Sequence, residues 1–275
     1  MKCELCSFKN PKGTVTAIII KDNKLLLLKR NEAPFKGKWD LPGGYMQEGE
    51  HPEDTLKREL VEELSVSSTL TEMVMVPGTA TWKRKTFPII NHVYLAEIHQ
   101  DIVLDKENSA YKWVPIKDLK DNEIAFDSNQ DVVMMMKKMF AFDLDRIREL
   151  ISQLDKSAYV NEYSLYKAII NGYISTVYDN GKLIGMGWIF PRQTLLRRQA
   201  VVEDMIVDEE YRGKGLGKRL INDLIKWAEI NNMDMVELTT NPLREAANHL
   251  YKSVGFKFHP TNHYLYKVNK NENYS

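Results

Sequence analysis

The spacing of apolar residues changes several times along the chain, and each change predicts an element. In "TVTAIIIKDNKLLLLKR" two runs of β-branched and leucine residues flank the polar "KDNK", which predicts a hairpin of two strands. The next stretch, "NEAPFKGKWDLPGG", holds two prolines and three glycines and predicts an ordered, irregular loop. From Glu53 onward, Leu56, Leu60 and Leu64 recur every fourth position while acidic residues take the rest of the surface, the pattern of an amphipathic helix. Strands are predicted at residues 71–76, 87–99 and 111–114, and a helix over 129–140 whose methionines read as core filler.

A second pattern starts near Asp143. Helices over 144–154 and 161–171 precede strands at 173–178 and 183–190, joined by the turn "DNGK". A β-α-β-α series follows: the strand "AVVEDMIV", the glycine-rich "DEEYRGKGLG", a helix over 216–231, the strand "MVELTT", and a helix over 243–254 stopped at Gly255. Neither a long linker nor an internal repeat interrupts the chain. Its 275 residues exceed the usual single domain of about 100–200, so two domains are expected, 1–141 and 142–275.

The 43% hydrophobic and 28% charged content with zero formal net charge excludes a global basic field, so neither nucleic acid nor a membrane surface is an expected partner. No apolar run approaches the roughly 18–20 residues that span a bilayer, and "MKCELCSFKN" lacks the apolar core of a secretory signal, which predicts a cytoplasmic protein. Cys3 and Cys6, in the arm of residues 1–10, have the spacing of half a zinc site; a structural zinc needs four ligands, and no second pair exists.

Two constellations carry chemistry. In "GYMQEGEHPEDTLKRELVEELSV" the helix places Glu59, Glu62 and Glu63 on about one turn, where each like-charge pair costs roughly 0.2–0.5 kcal/mol, so a cation is expected there. Three carboxylates near the carbonyl of a glycine loop make a hard-oxygen site suited to Mg²⁺ or Mn²⁺ and substrate phosphates, and metal-assisted hydrolysis of a phosphoanhydride follows. Arg58 has two readings: an ion pair with Glu62 one turn on, or a brace that holds Glu59 in register.

The full spacing, Gly44, Glu50, Arg58-Glu59 and Glu62-Glu63, resembles the box of the Nudix hydrolase superfamily, and "KLLLLKR", "FKGKWDLPGG" and "YKWVPIKDL" are similar to its surroundings. The resemblance implies an α/β/α sandwich with a mixed sheet and a nucleotide-type substrate. It implies Glu59 and Glu63 as metal ligands, Glu62 as ligand or base, the Gly44 carbonyl as a further ligand, Glu50 in support and Arg58 as the orienting arginine. Glu97, on "HVYLAEIH", is a further candidate carboxylate. Ser65 stands where the family has glycine, at a helix end that favours a left-handed residue.

In "YRGKGLGKRL" the glycines precede a helix start, where unpaired N–H groups and the helix dipole attract phosphate, and Arg212, Lys214 and Lys218 add charge. The stretch fits neither the dinucleotide fingerprint nor the P-loop. With "NPLREAANHLYKSVGF" it resembles the GNAT acetyltransferase superfamily, which implies a mixed sheet flanked by helices, α/β (α+β) overall, and acetyl-CoA and an amine as substrates. It also implies that Met205, Ile206 and Val207 bind the pantetheine arm and that Arg212, Gly213, Lys214, Gly215, Leu216, Gly217 and Lys218 hold the pyrophosphate. Asn248 would contact the cofactor and Tyr251 would protonate the leaving thiolate.

Acyl transfer to an amine also needs a base, for which Glu203 is preferred over Asp204. The first GNAT strand has no counterpart other than "MFAF". The leading expectation is a bifunctional hydrolase and N-acetyltransferase. Its alternatives are a hydrolase whose second half only senses acyl-CoA and a pure binding protein; a homodimer is left open.

Overall fold

The computed structural model describes residues 10–82, 85–140 and 142–266, so Cys3 and Cys6 lie outside the described residues. The first half comprises β1 (Lys12–Ile18), β2 (Ile20–Lys21), β3 (Lys24–Arg30), β4 (Trp39–Asp40), β5 (Gly43–Tyr45), α1 (Pro52–Leu64), β6 (Ser68–Trp82), β7 (Lys85–Ile98), β8 (Asn108–Pro115) and α2 (Asp127–Phe140). One sheet has the order β5-β1-β7-β6, mixed because β1 runs parallel to β7; the second joins β2, β3, β4 and β8.

The hairpin expected from "TVTAIIIKDNKLLLLKR" is therefore only partly formed. β3 pairs with the two-residue β2 around Asp22 and Asn23, both at positive φ, as a two-residue hairpin turn requires. β1 leaves for the other sheet. The runs are apolar at every position because both faces are covered, as in buried sheets. Val15, Ala17, Ile19, Leu26 and Leu28 pack with Leu56, Leu60 and Leu64 of α1, while Ile18, Ile20, Leu25 and Leu27 pack with Val132, Val133, Met136 and Phe140 of α2. The expected α/β/α sandwich results.

The second half comprises α3 (Leu144–Leu154), α4 (Glu162–Asn171), β9 (Tyr173–Asp179), β10 (Lys182–Gln193), β11 (Arg198–Val207), α5 (Leu216–Ile230), β12 (Met235–Leu238) and α6 (Glu245–Ser253), with strand order β12-β11-β10-β9. Leu183 packs with α3 and its neighbour Ile184 with Leu220 of α5, so the two helices cover opposite faces. "MFAF" forms no strand among the described residues: Met139 and Phe140 end α2. No helix of the described residues is long and apolar enough to cross a membrane.

The two halves share more than a peptide bond. Tyr166 of α4 is fully buried within the core of the first half, edge-on to Phe140 at 4.8 Å between ring centroids. The Glu162 carboxylate accepts the backbone N–H groups of Asp22 (2.9 Å) and Asn23 (2.5 Å), Asn23 donates to the Phe142 carbonyl (2.7 Å), and the Tyr163 hydroxyl donates to the Ala96 carbonyl (3.0 Å). A helix that follows the expected boundary thus closes the core that precedes it. Periodicity in "NEYSLYKAII" showed the helix but not this partner.

At its far end α1 stops at Ser65, whose φ of 58° and ψ of 36° are left-handed and whose N–H bonds the carbonyls of Leu60 and Val61. A side chain there costs roughly 1 kcal/mol relative to glycine. Ser65→Gly is accordingly expected to stabilise the protein by about 1 kcal/mol in thermal unfolding. Tyr166→Ala removes a fully buried aromatic side chain and is expected to cost roughly 3–5 kcal/mol. Its loss should speed amide exchange in β3 and β7 of the first half as well as in the second.

Candidate active sites

The apolar face of α1 fixes the first site. With Leu56, Leu60 and Leu64 in the core, Glu59, Glu62 and Glu63 are left on the side of the helix that meets β5 and solvent. Gly44 of β5 lets the Glu59 carboxylate lie against the strand: a Cβ there would stand 2.4 Å from that carboxylate and push it aside. The neighbouring Gly43 N–H donates to Glu63 Oε2 at 2.9 Å, and Asn108 Nδ2 approaches Glu63 Oε1 at 3.4 Å.

Arg58 serves both of the roles open to it from sequence, and a third. Its Nη1 meets Glu59 (2.8 Å) and Glu62 (3.3 Å), its Nε and Nη2 clasp Glu50 (2.8 and 3.0 Å), and Nη2 also approaches the Tyr45 carbonyl (3.3 Å). Glu50 is held at a pKa of about 2, first by this hydrogen bond to Arg58 and then by the Gln47 N–H, and so stays charged. Burial raises the pKa of Glu59. Burial, joined by the charges of Glu59 and Asp40, pushes Glu63 up to about 8, against the lowering effect of the Gly43 N–H.

Among the described residues no three acidic, histidine or cysteine side chains converge closely enough to hold a metal ion as they stand, since Glu59 and Glu62 both turn to Arg58. The donor set still fits a hard cation. All three donors are carboxylates on one helical turn, and Glu63 is pushed toward its protonated form in a way that a neighbouring cation would relieve.

Glu97 does not join this group. It sits on β7 opposite Thr69 and reaches Lys167 of α4 at 3.5 Å, at the junction of the halves, because β7 runs five residues beyond the point where His92 lies level with Val15 and Gly44. Glu107, whose charge adds to the rise in the Glu59 pKa that burial causes, lines a cleft of about 440 Å³ together with Lys12, Arg30, Glu32, Tyr45, Glu63, Phe87 and Asn108. It lies in an irregular segment with no periodic signal.

Sequence reading also missed Arg30 and Asp40. Arg30 donates to the Pro34 carbonyl (3.0 Å), stands over the Phe126 ring (5.0 Å to its centroid) and faces buried Asp40 at 3.5 Å. Asp40 accepts from Asn129 (2.7 Å), which bonds Asn91 and Thr16 in a buried polar chain beneath the glycine strand. Burial raises Asp40 to about 6 even against these partners. The only sequence signal was a lone aspartate between Trp39 and Leu41.

The second site forms where β11 outlasts β12. β12 pairs with β11 only from Gln199 to Val202, so among the described residues the same edge of β11 has no strand partner from Glu203 to Val207. A bulge opposite Gly187 puts Asp204 at a φ of 50° and re-aims the strand at the position of Glu203, Asp204 and Met205. Gly213 and Gly215 have φ of 78° and 77°, and open space surrounds the position of a Cβ at each, so backbone conformation rather than crowding explains the glycines. Gly215 caps α5 without a side-chain bond, leaving the first-turn N–H groups of Leu216, Gly217 and Lys218 outward. Arg212 ties this cradle back to the Val207 carbonyl (3.0 Å), and Lys214 lies over the Tyr211 ring.

Tyr251 packs against Phe256 and the α5 cluster. Its pKa is raised by burial, against the lowering charge of Arg244, and the charge of Glu203 adds to the rise. Glu203 is itself raised, by burial and then by Asp204. The Asn248 side-chain amide donates to the carbonyls of Asn241 (3.1 Å) and Arg244 (3.0 Å), each of which also accepts a backbone N–H, from Arg244 and Asn248 respectively. These bonds tie the half-buried Asn248 to the loop before α6.

The family profile of the NUDIX domain matches residues 11–134, and that of the Acetyltransferase (GNAT) family matches residues 144–256. The chain is 48% identical over 56 residues to the ADP-ribose pyrophosphatase of Methanocaldococcus jannaschii, covering 20% of this chain and 33% of that one. It is 31% identical over 116 residues to the nucleoside triphosphatase NudI of Escherichia coli, covering 38% of this chain and 82% of that one. In the second half it is 43% identical over 53 residues to the N-acetylaspartate synthetase of Danio rerio, covering 19% of each. The chain spans about a third of the length of two of the curated relatives it matches, and 64% of a third.

The raised pKa of Glu63 has a measurable sign. A carboxyl whose folded pKa lies above its unfolded value of 4.5 adds stability below that value, and the contribution is lost as pH rises through about 8. In metal-free protein, Glu63→Gln is therefore expected to melt roughly 5 °C or more above the parent at pH 9, with the difference vanishing at pH 4. Thermal scans across that range in the presence of a chelator check it.

Proposed function

Because the chain belongs to the Nudix family through residues 11–134 and to the GNAT acetyltransferase family through residues 144–256, we propose a bifunctional enzyme. Its first half hydrolyses a nucleoside diphosphate linked to a further group, with Mg²⁺ or Mn²⁺. Its second half transfers acetyl from acetyl-CoA to an amine. The observation that carries the first reading is the Arg58 clasp, which gathers Glu50, Glu59 and Glu62 next to Glu63, itself part of the lining of an open cleft. Relatives named for ADP-ribose and for nucleoside triphosphates support a nucleotide as the substrate.

Glu59, Glu62 and Glu63, with the Gly44 carbonyl, are the groups we assign to the cation. When bound, it neutralises phosphate charge and acidifies water. Glu62 has the most exposed side chain of the three and is the carboxylate placed to take a proton from the attacking water. Arg58 keeps Glu59 and Glu62 from drifting apart, and Glu50 anchors Arg58 from the loop side.

In the second half the outward N–H groups of 216–218, with Arg212, Lys214 and Lys218, suit a pyrophosphate, and the free edge at Met205, Ile206 and Val207 suits the amide-bearing arm. Glu203 takes the proton of the attacking amine, and Tyr251, kept protonated by its raised pKa, gives one to the departing thiolate. A relative named N-acetylaspartate synthetase supports acetyl as the group transferred. Retention of both Glu203 and Tyr251 favours catalysis over acyl-CoA sensing alone.

Purified protein with Mg²⁺ is expected to release phosphate-bearing products from a nucleotide panel, with the rate falling roughly 10²-fold or more in Glu63→Gln; unchanged turnover in that variant would overturn the hydrolase assignment. With an amine panel and acetyl-CoA, free thiol should appear, and Tyr251→Phe should slow it about 10-fold or more while CoA binding persists.

A further inference from the structure

A buried charge stands just before the glycine cradle of the second half. Asp208 directly follows the last residue of β11 and is 3% exposed; Arg146 of α3, 6% exposed, meets one of its carboxylate oxygens through Nη2. The guanidinium also donates from Nε to the Leu183 carbonyl of β10 (2.8 Å), and its Nη1 stands 2.7 Å from Glu149. The other Asp208 oxygen accepts the Glu210 N–H (3.2 Å) and the amide of Gln153, also on α3 (3.5 Å), while Gln153 Oε1 accepts the Glu209 N–H (3.0 Å). Burial would raise the Asp208 carboxyl, yet the bonds from Arg146 and the Glu210 N–H hold it below the usual carboxylate range, so it stays charged.

This corner sets where the cradle starts. Arg212 returns to the Val207 carbonyl (3.0 Å), and the Tyr211 N–H bonds the Asp208 carbonyl (2.9 Å), so residues 207–212 close on themselves around Asp208. Beyond them Gly213 and Gly215 have nothing within 4 Å of the position of a Cβ, and the cradle takes its placement from the corner before it and from α5 after it. Packing on the α3 side is incomplete, because Arg146 also lines a cavity of about 670 Å³ between the start of α3 and the β9–β10 turn. A buried ion pair is a costly way to gain stability, since apolar side chains of similar size often do as well. What it adds here is direction: the guanidinium fixes the carboxylate on one side and turns its remaining oxygen to the loop. The roles given above to the second half use neither Arg146, Gln153 nor Asp208.

We propose that Asp208, held by Arg146 and Gln153, is a positioning residue for the pyrophosphate cradle. It sets the angle at which residues 209–218 leave β11 and thereby aims the N–H groups of 216–218 at the diphosphate of the acyl donor, without touching the donor itself. The inference rests on the acetyl-CoA reading of the second half and goes beyond it: α3, outside the β11-α5 unit, governs affinity for the diphosphate part of the donor and leaves the thioester end, at Glu203 and Tyr251, unaffected.

The test compares acetyl-CoA with S-acetylpantetheine, which carries the thioester and its arm without the pyrophosphate, for the parent protein, Asp208→Asn and Gln153→Ala. KM for acetyl-CoA is expected to rise roughly ten-fold in Asp208→Asn and about three-fold in Gln153→Ala, with kcat and the KM for S-acetylpantetheine close to the parent values. Gln153→Ala leaves the ion pair in place and answers the question if Asp208→Asn does not fold. Equal losses on both donors, a loss in kcat alone, or no loss on either overturn the positioning role and leave the acetyl-CoA reading intact. Transfer from neither donor by the parent protein counts against that reading instead. The corner is then judged without ligand by amide exchange: exchange at 212–218 faster by roughly ten-fold in Asp208→Asn, with β9 and β10 unchanged, supports it, and unchanged or uniformly faster exchange overturns it.

Discussion

The first half of this protein is organised around one guanidinium. Arg58 is the cation among four carboxylates, Glu50, Glu59, Glu62 and Glu63, and it touches three of them together with the Tyr45 carbonyl. Without it, the repulsion among Glu59, Glu62 and Glu63 would act on a single turn whose other face is committed to the core. Arg58 therefore lets a charged cluster coexist with a packed helix. It also links three separate pieces of chain: the glycine strand, the loop at Glu50 and the helix itself. The fourth carboxylate, Glu63, is turned to the Gly43 N–H, and its burial, joined by the charges of Glu59 and Asp40, raises its pKa.

The second half is built on a different constraint, the divergence of two parallel strands. β12 ends at Leu238 while β11 continues to Val207, and the glycine cradle then turns the chain so that α5 presents its N-terminus at that opening. α4 connects the two constructions. Its first turn closes the hairpin turn of the first half through Glu162, and its last turn accepts the Trp188 indole N–H at the Ala168 carbonyl (3.0 Å), with Trp188 opposite Glu203 in the sheet. One ten-residue helix thus contacts the framework of both sites.

Much of this was legible in the sequence because it follows from local spacing. The leucines of α1 fix which face carries the glutamates, and the glycines before α5 need only their own backbone angles. Ser65 is the left-handed helix end that the resemblance implied, since the family has glycine there. What was not legible depends on pairing between distant segments. That β1 leaves its neighbour β3 for β7, that Glu97 points to Lys167 while Glu107 lines the cleft beside Glu63, and that Tyr166 fills the preceding core are all consequences of sheet order, which periodicity does not encode. Asn248 lies on the expected helix face, yet its amide is taken by the loop carbonyls beside it.

The central claim is that the glutamate cluster is an incomplete coordination shell, with Glu63 largely protonated at neutral pH until a cation arrives. Mn²⁺ titration followed by electron paramagnetic resonance, with proton release recorded in parallel, tests it most directly. The account predicts a site lost in Glu63→Gln and close to one proton released per Mn²⁺ at pH 7, falling toward zero at pH 9 as Glu63 ionises unaided. Mn²⁺ binding of equal strength in Glu63→Gln, or binding at pH 7 with no proton release, would contradict it.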